Sequence, residues 1–362
     1  MKIAVLGGGN GSFAAAGDFA LSGHEVRLWR RDTEQVEAHR AAGSRILVKD
    51  HAGQHDVKLA LVTSDIAVAI SDAELILCPA PAFAQPDIAR LLAPHLQDGQ
   101  VVFLPPATFG SMIFAQAARD AGNRAKASFA ETGTLPWLTR KHGPFQVAIT
   151  IRAKRLPVGV FPLDQAPHAL EVIGRAFPDV IEPCGDALSG ALMNAGCIIH
   201  PPLIAMNAGP IEHFERWDIH KEGTQAAIRR VTDALDAERI AVREALGYGA
   251  PHFPLAHHYA KEGEMWMYGR GSHDRLTDSG DWRERIVLTE HRYMREDLRL
   301  GLSLLVSVAG LAGVATPLAK AFLAMGGAIC GEDFAQGGRT LETLGLGKLH
   351  KAELQMLLRE GF

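Results

Sequence analysis

The sequence predicts an α/β protein of two domains, a doubly wound parallel sheet followed by an all-helical domain. The chain has 362 residues, 47% hydrophobic and 22% charged, which is typical of a folded globular protein too long for one ordinary domain. From residue 1 to about 131, short β-forming apolar runs alternate with helical patterns. After Pro162 helical patterns dominate. We place the boundary at Pro183, which divides the chain into domains at 1–182 and 183–362.

The apolar runs of the first half predict the strands of one sheet. They are KIAVLG, HEVRLW, VKLALVT, ELILCPA, QVVFLPP and KASFAE. The helices predicted between them are 13–21, 33–42, 66–70, 86–96 and 109–121. Because short loops and right-handed crossovers join such elements, the sheet should be parallel. FQVAITIRA and LPVGVF, within 145–161, predict further strands at the edge of this sheet.

The second half has apolar residues at helical spacing in five segments. The predicted helices are 168–177, 188–207, 224–246, 283–312 and 318–329. The longest uncharged stretch, 300–318, approaches the length of a membrane span, but glycines, serines and a proline dilute it. It predicts a buried helix that packs closely through small residues.

Composition excludes several classes of partner. The formal net charge of -4 and the pI near 6.5 give no electrostatic reason to expect nucleic acid or an anionic membrane. Cys78, Cys184, Cys197 and Cys330 are scattered without a CxxC pair, so neither a disulfide framework nor a zinc site is indicated. The apolar start passes at once into a glycine turn, unlike a signal peptide. We expect a cytoplasmic protein that binds small molecules.

A glycine-rich turn follows the first predicted strand. Gly7, Gly9 and Ser12 form a GxGxxG-like pattern between IAVL and the first helix. Glycine at the first two places allows a tight turn and a close approach of the backbone to a pyrophosphate at the helix N-terminus. At the start of a βαβ series, the pattern predicts a Rossmann dinucleotide site rather than a plain strand turn. We expect the cofactor to contact Gly7, Gly9, Asn10, Gly11 and Ser12.

The end of the second strand bears on the choice of cofactor. An NAD-binding protein usually has an acidic residue there for the ribose hydroxyls, whereas this chain has Arg30 and Arg31. Two adjacent guanidinium groups suit a 2′-phosphate, so NADPH is preferred over NADH. The alternative is that both arginines are solvated and Asp32 binds the ribose, which leaves NADH open.

Three residues of the second half could carry chemistry. His200 lies in the apolar segment AGCIIHPPLIA, and the two prolines after it should break or kink the helix. A lone histidine on an apolar face is more often a core residue than a catalyst. Arg292 and Asp297 are five positions apart on a predicted helix, so they should point in different directions but can border one cleft. Because an apolar stretch begins at Leu298, the carboxylate of Asp297 should enter the core and need a partner.

Five stretches, in order along the whole chain, resemble the opine dehydrogenase family, which includes octopine and nopaline dehydrogenases. They are GGGNGSFAAA, NAGCIIHPP, DAERIAV, RYMRED and GRTLETLGL, which start at residues 7, 194, 236, 292 and 338. The resemblance implies a helical domain of the 6-phosphogluconate dehydrogenase C-terminal type. It also implies an NAD(P)-dependent oxidoreductase of CH–NH groups that joins an L-amino acid to a 2-oxo acid such as pyruvate.

The resemblance also assigns roles. It makes His200 the catalytic imidazole, Asp297 the carboxylate that orients it, and Arg292 the residue that binds a substrate carboxylate. Some relatives have an asparagine one helical turn before the histidine, where this chain has Gly196, so we take Asn194 as the substrate contact of that helix. The loops PAPAFAQ and PPATFGS should border the nicotinamide and the substrate.

Two other functions compete with this interpretation. One is a ketopantoate, 3-hydroxy acid or glycerol-3-phosphate dehydrogenase, which usually needs a catalytic lysine, and the sequence has none between Lys154 and Lys221. The other is an NAD(P)-binding sensor without turnover.

No metal is expected, because His252, His257 and His258 should diverge and lack a carboxylate at ligand spacing. The charged residues of 229–239 indicate a solvated or interhelical helix face. The oligomeric state, including a homodimer, is left open.

Overall fold

The computed structural model describes residues 1–362 and divides into two compact units. The first unit is Met1–Ala191 with Leu358–Phe362, and the second is Leu192–Leu357. The first unit extends past the boundary predicted at 182/183, because strand Ile181–Asp186 pairs with Leu156–Phe161 and so belongs to the sheet. The sequence did not predict that the last residues would return to this unit.

The first unit contains twelve strands and seven α-helices. The strands are β1 (Lys2–Leu6), β2 (Glu25–Trp29), β3 (Arg45–Asp50), β4 (Gly53–Lys58), β5 (Leu61–Thr63), β6 (Leu75–Leu77), β7 (Val101–Leu104), β8 (Ser128–Thr132), β9 (Trp137–Gly143), β10 (Gln146–Arg152), β11 (Leu156–Phe161) and β12 (Ile181–Asp186). The helices are α1 (Asn10–Leu21), α2 (Thr33–Ala41), α3 (Ile66–Ile70), α4 (Gln85–Leu92), α5 (Gly110–Asp120), α6 (Ala166–Ala176) and α7 (Ala187–Ala191).

The main sheet has eight strands in the order β12-β11-β8-β7-β6-β1-β2-β5. All neighbours are parallel except β8 and β11, which are antiparallel. The strand order reverses at β1, so the turns after β1 and β6 lie at the switch point where such sheets bind ligands. This architecture confirms the predicted α/β fold and places the glycine turn at its binding edge.

A second sheet corrects the assignment of one predicted edge strand. FQVAITIRA forms β10, which belongs to a four-stranded sheet in the order β4-β3-β10-β9 rather than to the main sheet. The predicted strand VKLALVT is divided between β4 and β5, which lie in different sheets. The physical reason lies in α1, whose Phe13 and Ala14 are fully buried. A helix that is apolar on both sides needs a second layer, and β3, β9 and β10 supply it.

The second unit is mainly helical. Its elements are α8 (Gly196–Met206), α9 (Ala208–His213), β13 (Trp217–Asp218), α10 (Ala226–Leu246), α11 (Ala256–Tyr259), α12 (Ser272–Asp278), β14 (Arg283–Glu284), a π-helix (Tyr293–Gly301), α13 (Leu302–Ala312), α14 (Pro317–Cys330) and α15 (Lys351–Glu360), whose last residues belong to the first unit. The predicted all-helical domain thus also holds the two-stranded pair β13–β14.

Two helix predictions were wrong in the second unit. The predicted helix 283–312 is an extended segment, a π-helix and α13. Of the break or kink predicted after His200, the break is absent, because Pro201 and Pro202 lie inside α8. Pro201 and Pro202 are buried, and α8 packs on the π-helix, α10 and α14. This packing keeps the segment helical although each proline removes one backbone hydrogen bond.

One stretch, Ala187–Met206, is long and apolar enough by composition to cross a membrane. Of its most apolar window, 83% is buried inside the protein. Core helices satisfy the same criteria of length and composition, so this stretch is weak evidence for a membrane span. The longest uncharged stretch, 300–318, which the sequence predicts as a buried helix, forms the end of the π-helix, α13 and the start of α14.

Candidate active site

The glycine turn has the geometry of a dinucleotide cradle. Gly7 has a φ of +117°, and a Cβ there would lie 2.7 Å from Oγ of Ser12. Ser12 is buried and donates to the carbonyl of Leu6 over 3.2 Å, so it joins the end of β1 to the start of α1. The space beside Gly9 is open, and α1 begins directly after it with unpaired backbone N–H groups. This arrangement fits a pyrophosphate.

The two arginines after β2 have different environments. Arg30 is buried, with its guanidinium against Gly8 and hydrogen-bonded to the side chain of Gln35. The side chain of Arg31 is 76% exposed and lies 3.9 Å from Asp87. Asp32 caps α2 by accepting from the backbone N–H of Gln35 over 3.1 Å. Arg30, but not Arg31, therefore lies against the glycine turn. The side chain of Asp32 is engaged as the N-cap of α2.

Sequence reasoning missed Lys141, which lies on β9. Its Nζ is 3.8 Å from the centroid of the Phe13 ring and 3.4 Å from the carbonyl of Gly8. Its backbone N–H donates to Oδ1 of Asn10 over 3.0 Å, so the second sheet contacts the turn directly. Burial lowers the pKa of Lys141, and the charge of Arg30 lowers it further. Two cations next to one another at the turn favour an anion between them. No motif marked Lys141, because only the second sheet brings it there.

His200 and Asp297 meet in the second unit. Nδ1 of His200 is 2.8 Å from Oδ2 of Asp297, and the side chains are 17% and 6% exposed. Burial raises the pKa of Asp297 to about 7, although the charge of Arg292 opposes the shift. The predicted carboxylate partner is therefore in place, 97 residues away along the chain. The pair can hold and release a proton near neutral pH.

The π-helix Tyr293–Gly301 begins directly after Arg292. In a π-helix hydrogen bonds join residues five apart, so such residues lie one turn apart and on adjacent positions of the surface. Arg292 is the N-cap of this helix, and its side chain is exposed whereas that of Asp297 is buried, so their different directions stay a prediction that the structure does not contradict. The side chain of Arg292 is 53% exposed, with Nη2 3.3 Å from Oε2 of Glu296. An exposed guanidinium beside the buried pair can bind a carboxylate.

Two further residues contact His200 that sequence reasoning missed. The ring of Tyr293 stacks on the imidazole with a centroid distance of 3.5 Å. Its hydroxyl is 2.9 Å from Nε2 of His220, which is buried. Tyr293 lies within RYMRED and could have been noticed there. His220 carried no signal, because nothing in its sequence neighbourhood links it to Tyr293.

The start of α8 explains the role of two residues near the imidazole. A Cβ at Gly196 would lie 2.6 Å from Oδ1 of Asp297, so only glycine lets the carboxylate approach the helix this closely. Asn194 is buried, and its Oδ1 accepts from the N–H of Gly196 over 3.0 Å. Asn194 thus stabilises the first turn of α8, and its contact with substrate stays a prediction.

Comparisons with known proteins find relatives that span nearly the whole chain. Residues 183–330 match a family model described as the alpha-helical domain of NAD/NADP octopine/nopaline dehydrogenase. An opine dehydrogenase from Arthrobacter sp. (strain 1C) is 29% identical over 364 residues, which cover 97% of each chain. A structure of octopine dehydrogenase in complex with NADH and agmatine superposes with a TM-score of 0.70 at 20% identity, covering 97% of this chain and 99% of that one.

This chain is similar to opine dehydrogenases over nearly its whole length. The agreement extends over the whole chain, including the helical domain that carries His200, Arg292 and Asp297. A yersinopine dehydrogenase structure with bound NADP⁺ shares the fold as well, with a TM-score of 0.66 at 14% identity over 99% of this chain and 98% of that one. An opine dehydrogenase is an NAD(P)-dependent oxidoreductase, which agrees with the cradle at the glycine turn.

A second family model matches only the dinucleotide-binding half. Residues 2–104 match the N-terminus of NAD-dependent glycerol-3-phosphate dehydrogenase. This match ends before the helical domain, so it describes the Rossmann half that many dehydrogenases share. It gives no support to glycerol-3-phosphate chemistry in a chain whose second half matches the octopine/nopaline dehydrogenase model.

The DAERIAV segment has a structural role in the second unit. Asp236 and Arg239 are buried and paired at 2.6 Å. Arg239 donates to the carbonyls of Leu192 and His252, and Asp236 accepts from the backbone N–H of Leu255. The charged residues of this helix were predicted to form a solvated or an interhelical face. A solvated face is wrong for Asp236 and Arg239, because both are buried. The pair ties α10 to the segment before α8 and to the loop after α10.

Proposed function

We propose that this chain is an opine dehydrogenase that reduces the imine of an L-amino acid and a 2-oxo acid such as pyruvate. The product is an N-(1-carboxyalkyl) amino acid, and the same site performs the reverse oxidation. The observation that carries the proposal is the 2.8 Å contact of His200 with the buried carboxylate of Asp297, on a π-helix whose N-cap is Arg292. A cytoplasmic location and a homodimer remain predictions.

His200 is the proposed acid and base. With Asp297 ionised, Nδ1–H of His200 donates to Oδ2, and Nε2 has the lone pair that accepts a proton. In opine oxidation Nε2 takes the proton of the secondary amine, and in imine reduction the imidazolium returns it to the nitrogen. The bound nicotinamide supplies or accepts the hydride at the adjacent carbon. Asp297 holds the imidazole in the required tautomer.

Arg292 is the proposed partner of the oxo acid. A planar guanidinium can bind a carboxylate with two parallel hydrogen bonds, which a lysine cannot do. Octopine dehydrogenase has been solved with NADH and pyruvate and with NADH and L-arginine, which supports the two substrate classes. Oε2 of Glu296 lies 3.3 Å from Nη2 of Arg292 in this structure, so a substrate carboxylate would compete with Glu296 for the guanidinium.

One assay tests the function. NADPH and NADH consumption is followed with pyruvate and a panel of L-amino acids, each substrate also being supplied alone. Consumption that needs both substrates supports an opine dehydrogenase. Consumption with ketopantoate, a 3-hydroxy acid or dihydroxyacetone phosphate alone would support the other dehydrogenases, and binding without consumption would support a sensor.

Replacement of Arg292 with Ala should raise the KM for the oxo acid about 10 to 100-fold, because charge-assisted hydrogen bonds to the carboxylate are lost. Arg292→Lys should recover only part of the loss, since the ammonium lacks the planar fork. Initial rates over a range of pyruvate concentrations measure the effect. The matched control is Arg285→Ala, an exposed arginine of the same unit, which should leave the KM unchanged. An unaltered KM in Arg292→Ala would contradict the role.

NADPH is the proposed preferred cofactor, with Arg30 and Lys141 binding the 2′-phosphate. Arg30→Asp should lower the ratio of kcat/KM for NADPH to that for NADH about 10 to 100-fold, because attraction becomes repulsion. Lys141→Ala should act in the same direction. Arg31→Ala should have a smaller effect, since its exposed side chain lies by Asp87. A wild-type enzyme that already favours NADH would contradict the preference.

Opine oxidation should become faster as pH rises through about 7. Burial raises the pKa of Asp297 to about 7, so below that pH the carboxyl is protonated and donates to Nδ1 of His200. The proton of the imidazole then lies on Nε2, which cannot accept another. The measurement is kcat/KM for the opine between pH 5 and 9. Asp297→Asn should lose this rise, and a wild-type profile that is flat through pH 7 would exclude the pair as the base.

A further inference from the structure

Tyr293 lies flat on the imidazole of His200. Their ring centroids are 3.5 Å apart and their planes are inclined by 9°. Asp297 contacts the same imidazole at its edge, through Nδ1. Tyr293 and Asp297 belong to one π-helix, so a single element of the fold contacts the ring at its face and at its edge. The imidazole therefore has a defined plane as well as a defined tautomer.

The phenol of Tyr293 is held in place as well. Its hydroxyl is 2.9 Å from Nε2 of His220. The backbone N–H of His220 donates to Oδ1 of Asp218 over 3.0 Å, and its ring meets Trp282 edge-on. Tyr293 and His220 are both buried. Rotation of the tyrosine ring away from His200 would break a buried hydrogen bond, which is costly when no water replaces it.

We propose that Tyr293, anchored by His220, is a positioning residue that fixes the plane of the His200 imidazole and stabilises its protonated form. This inference rests on the proposed function of His200 as acid and base. An imidazolium over an aromatic face is attracted by the negative π-cloud, whereas a neutral imidazole gains less. The stack thus favours the form that carries the proton taken from the opine or given to the imine nitrogen.

The charged groups on the elements packed against α8 are mostly paired with one another or exposed. The π-helix contributes Asp297, and Arg292 acts through it. On α10, which also packs on α8, Asp236 and Arg239 neutralise each other at 2.6 Å. The π-helix also carries Glu296, which is buried beside Arg292, and Arg295 and Arg299, which pair with Glu332. On α10, the buried Arg243 donates to His252, and Glu238 accepts from the backbone N–H groups of Leu318 and Ala319. Glu212 and His213 on α9 and Lys320 on α14 are exposed. His220 meets the His200 ring edge-on, with centroids 6.0 Å apart.

Two substitutions of Tyr293 separate the ring from its hydroxyl. Tyr293→Leu removes the aromatic face, and we expect the midpoint of the pH profile of opine oxidation to fall by about one pH unit. Its kcat should fall about tenfold while the KM for the opine stays within about twofold, because the imidazole is less well oriented. Tyr293→Phe keeps the face and loses the bond to His220, so the midpoint should stay and kcat should fall about threefold.

Each outcome decides the proposal. An unshifted midpoint in Tyr293→Leu overturns it, and an equal shift in Tyr293→Phe assigns the effect to the hydroxyl and overturns it too. Where leucine prevents folding, Tyr293→Met removes the ring while keeping a long apolar side chain and carries the same expectation. His200→Ala is measured in parallel. Unchanged turnover in that variant removes the proposed function, whereas lost turnover with an unshifted Tyr293→Leu profile removes the positioning role alone.

Discussion

Replacement of His200 with Ala should lower turnover about 100 to 10,000-fold in both directions, which is the usual contribution of a general acid and base. The reason is geometric. The imidazole is the group that Asp297 orients at 2.8 Å, and the substitution also leaves that carboxylate buried without its partner. The measurement is kcat for NAD(P)H consumption with saturating amino acid and oxo acid, repeated for NAD(P)⁺ reduction with the opine.

The control for this variant is binding of the cofactor. The cradle at Gly7 and Gly9 lies in the first unit, whereas His200 lies in the second. The dissociation constant for NADPH, measured by fluorescence titration, should therefore stay within about twofold of the wild-type value. Turnover that is unchanged in His200→Ala would remove the imidazole from the mechanism. His200→Asn, which keeps a polar group near Asp297, guards against a loss caused by misfolding.

Replacement of Arg239 with Ala should lower the free energy of unfolding by about 3–5 kcal/mol, because Asp236 would be left as an uncompensated buried charge. The carbonyls of Leu192 and His252 would lose their donor as well. Since Leu192 lies just before α8, the segment that carries His200 should loosen. Urea unfolding followed by tryptophan fluorescence measures the change, and Trp217, Trp266 and Trp282 report on this unit.

A matched control lies on the same helix. Arg230 is exposed on α10, and Arg230→Ala should change the free energy of unfolding by less than about 0.5 kcal/mol. If Arg239→Ala is as stable as this control, the buried pair has no structural role. The double substitution of Asp236 and Arg239 by apolar residues of similar volume should recover part of the loss, because it removes both charges together.

The spacing of apolar residues predicted the fold class, because strand and helix patterns depend on residues that are close in sequence. KIAVLG followed by the glycine turn gave β1, the cradle and the start of α1, since the tight turn and the free helix N-terminus depend on adjacent residues. Second-half helices such as 224–246 were also found by their apolar spacing, close to the observed Ala226–Leu246. Residue types and motifs selected His200, Arg292 and Asp297, although no local rule could join them.

Only the tertiary structure determined the second sheet, the position of Lys141 and the π-helix, because each depends on packing between distant segments. The second sheet exists because α1 must be covered on both sides, and only that sheet brings Lys141 to the turn. The hydrogen bonds of the π-helix join residues five apart, so the α-helical spacing of residues on one face does not hold there. The propensities of single residues do not predict a π-helix.

The sequence by itself determined the class of the fold, the cofactor turn and the identity of the residues suited to the chemistry. The packing of distant segments determined their geometry. His220 holds Tyr293 across 73 residues, and Asp297 reaches His200 across 97. Such contacts form where burial leaves a polar group needing a partner, and that partner depends on the folded chain rather than on neighbours in sequence.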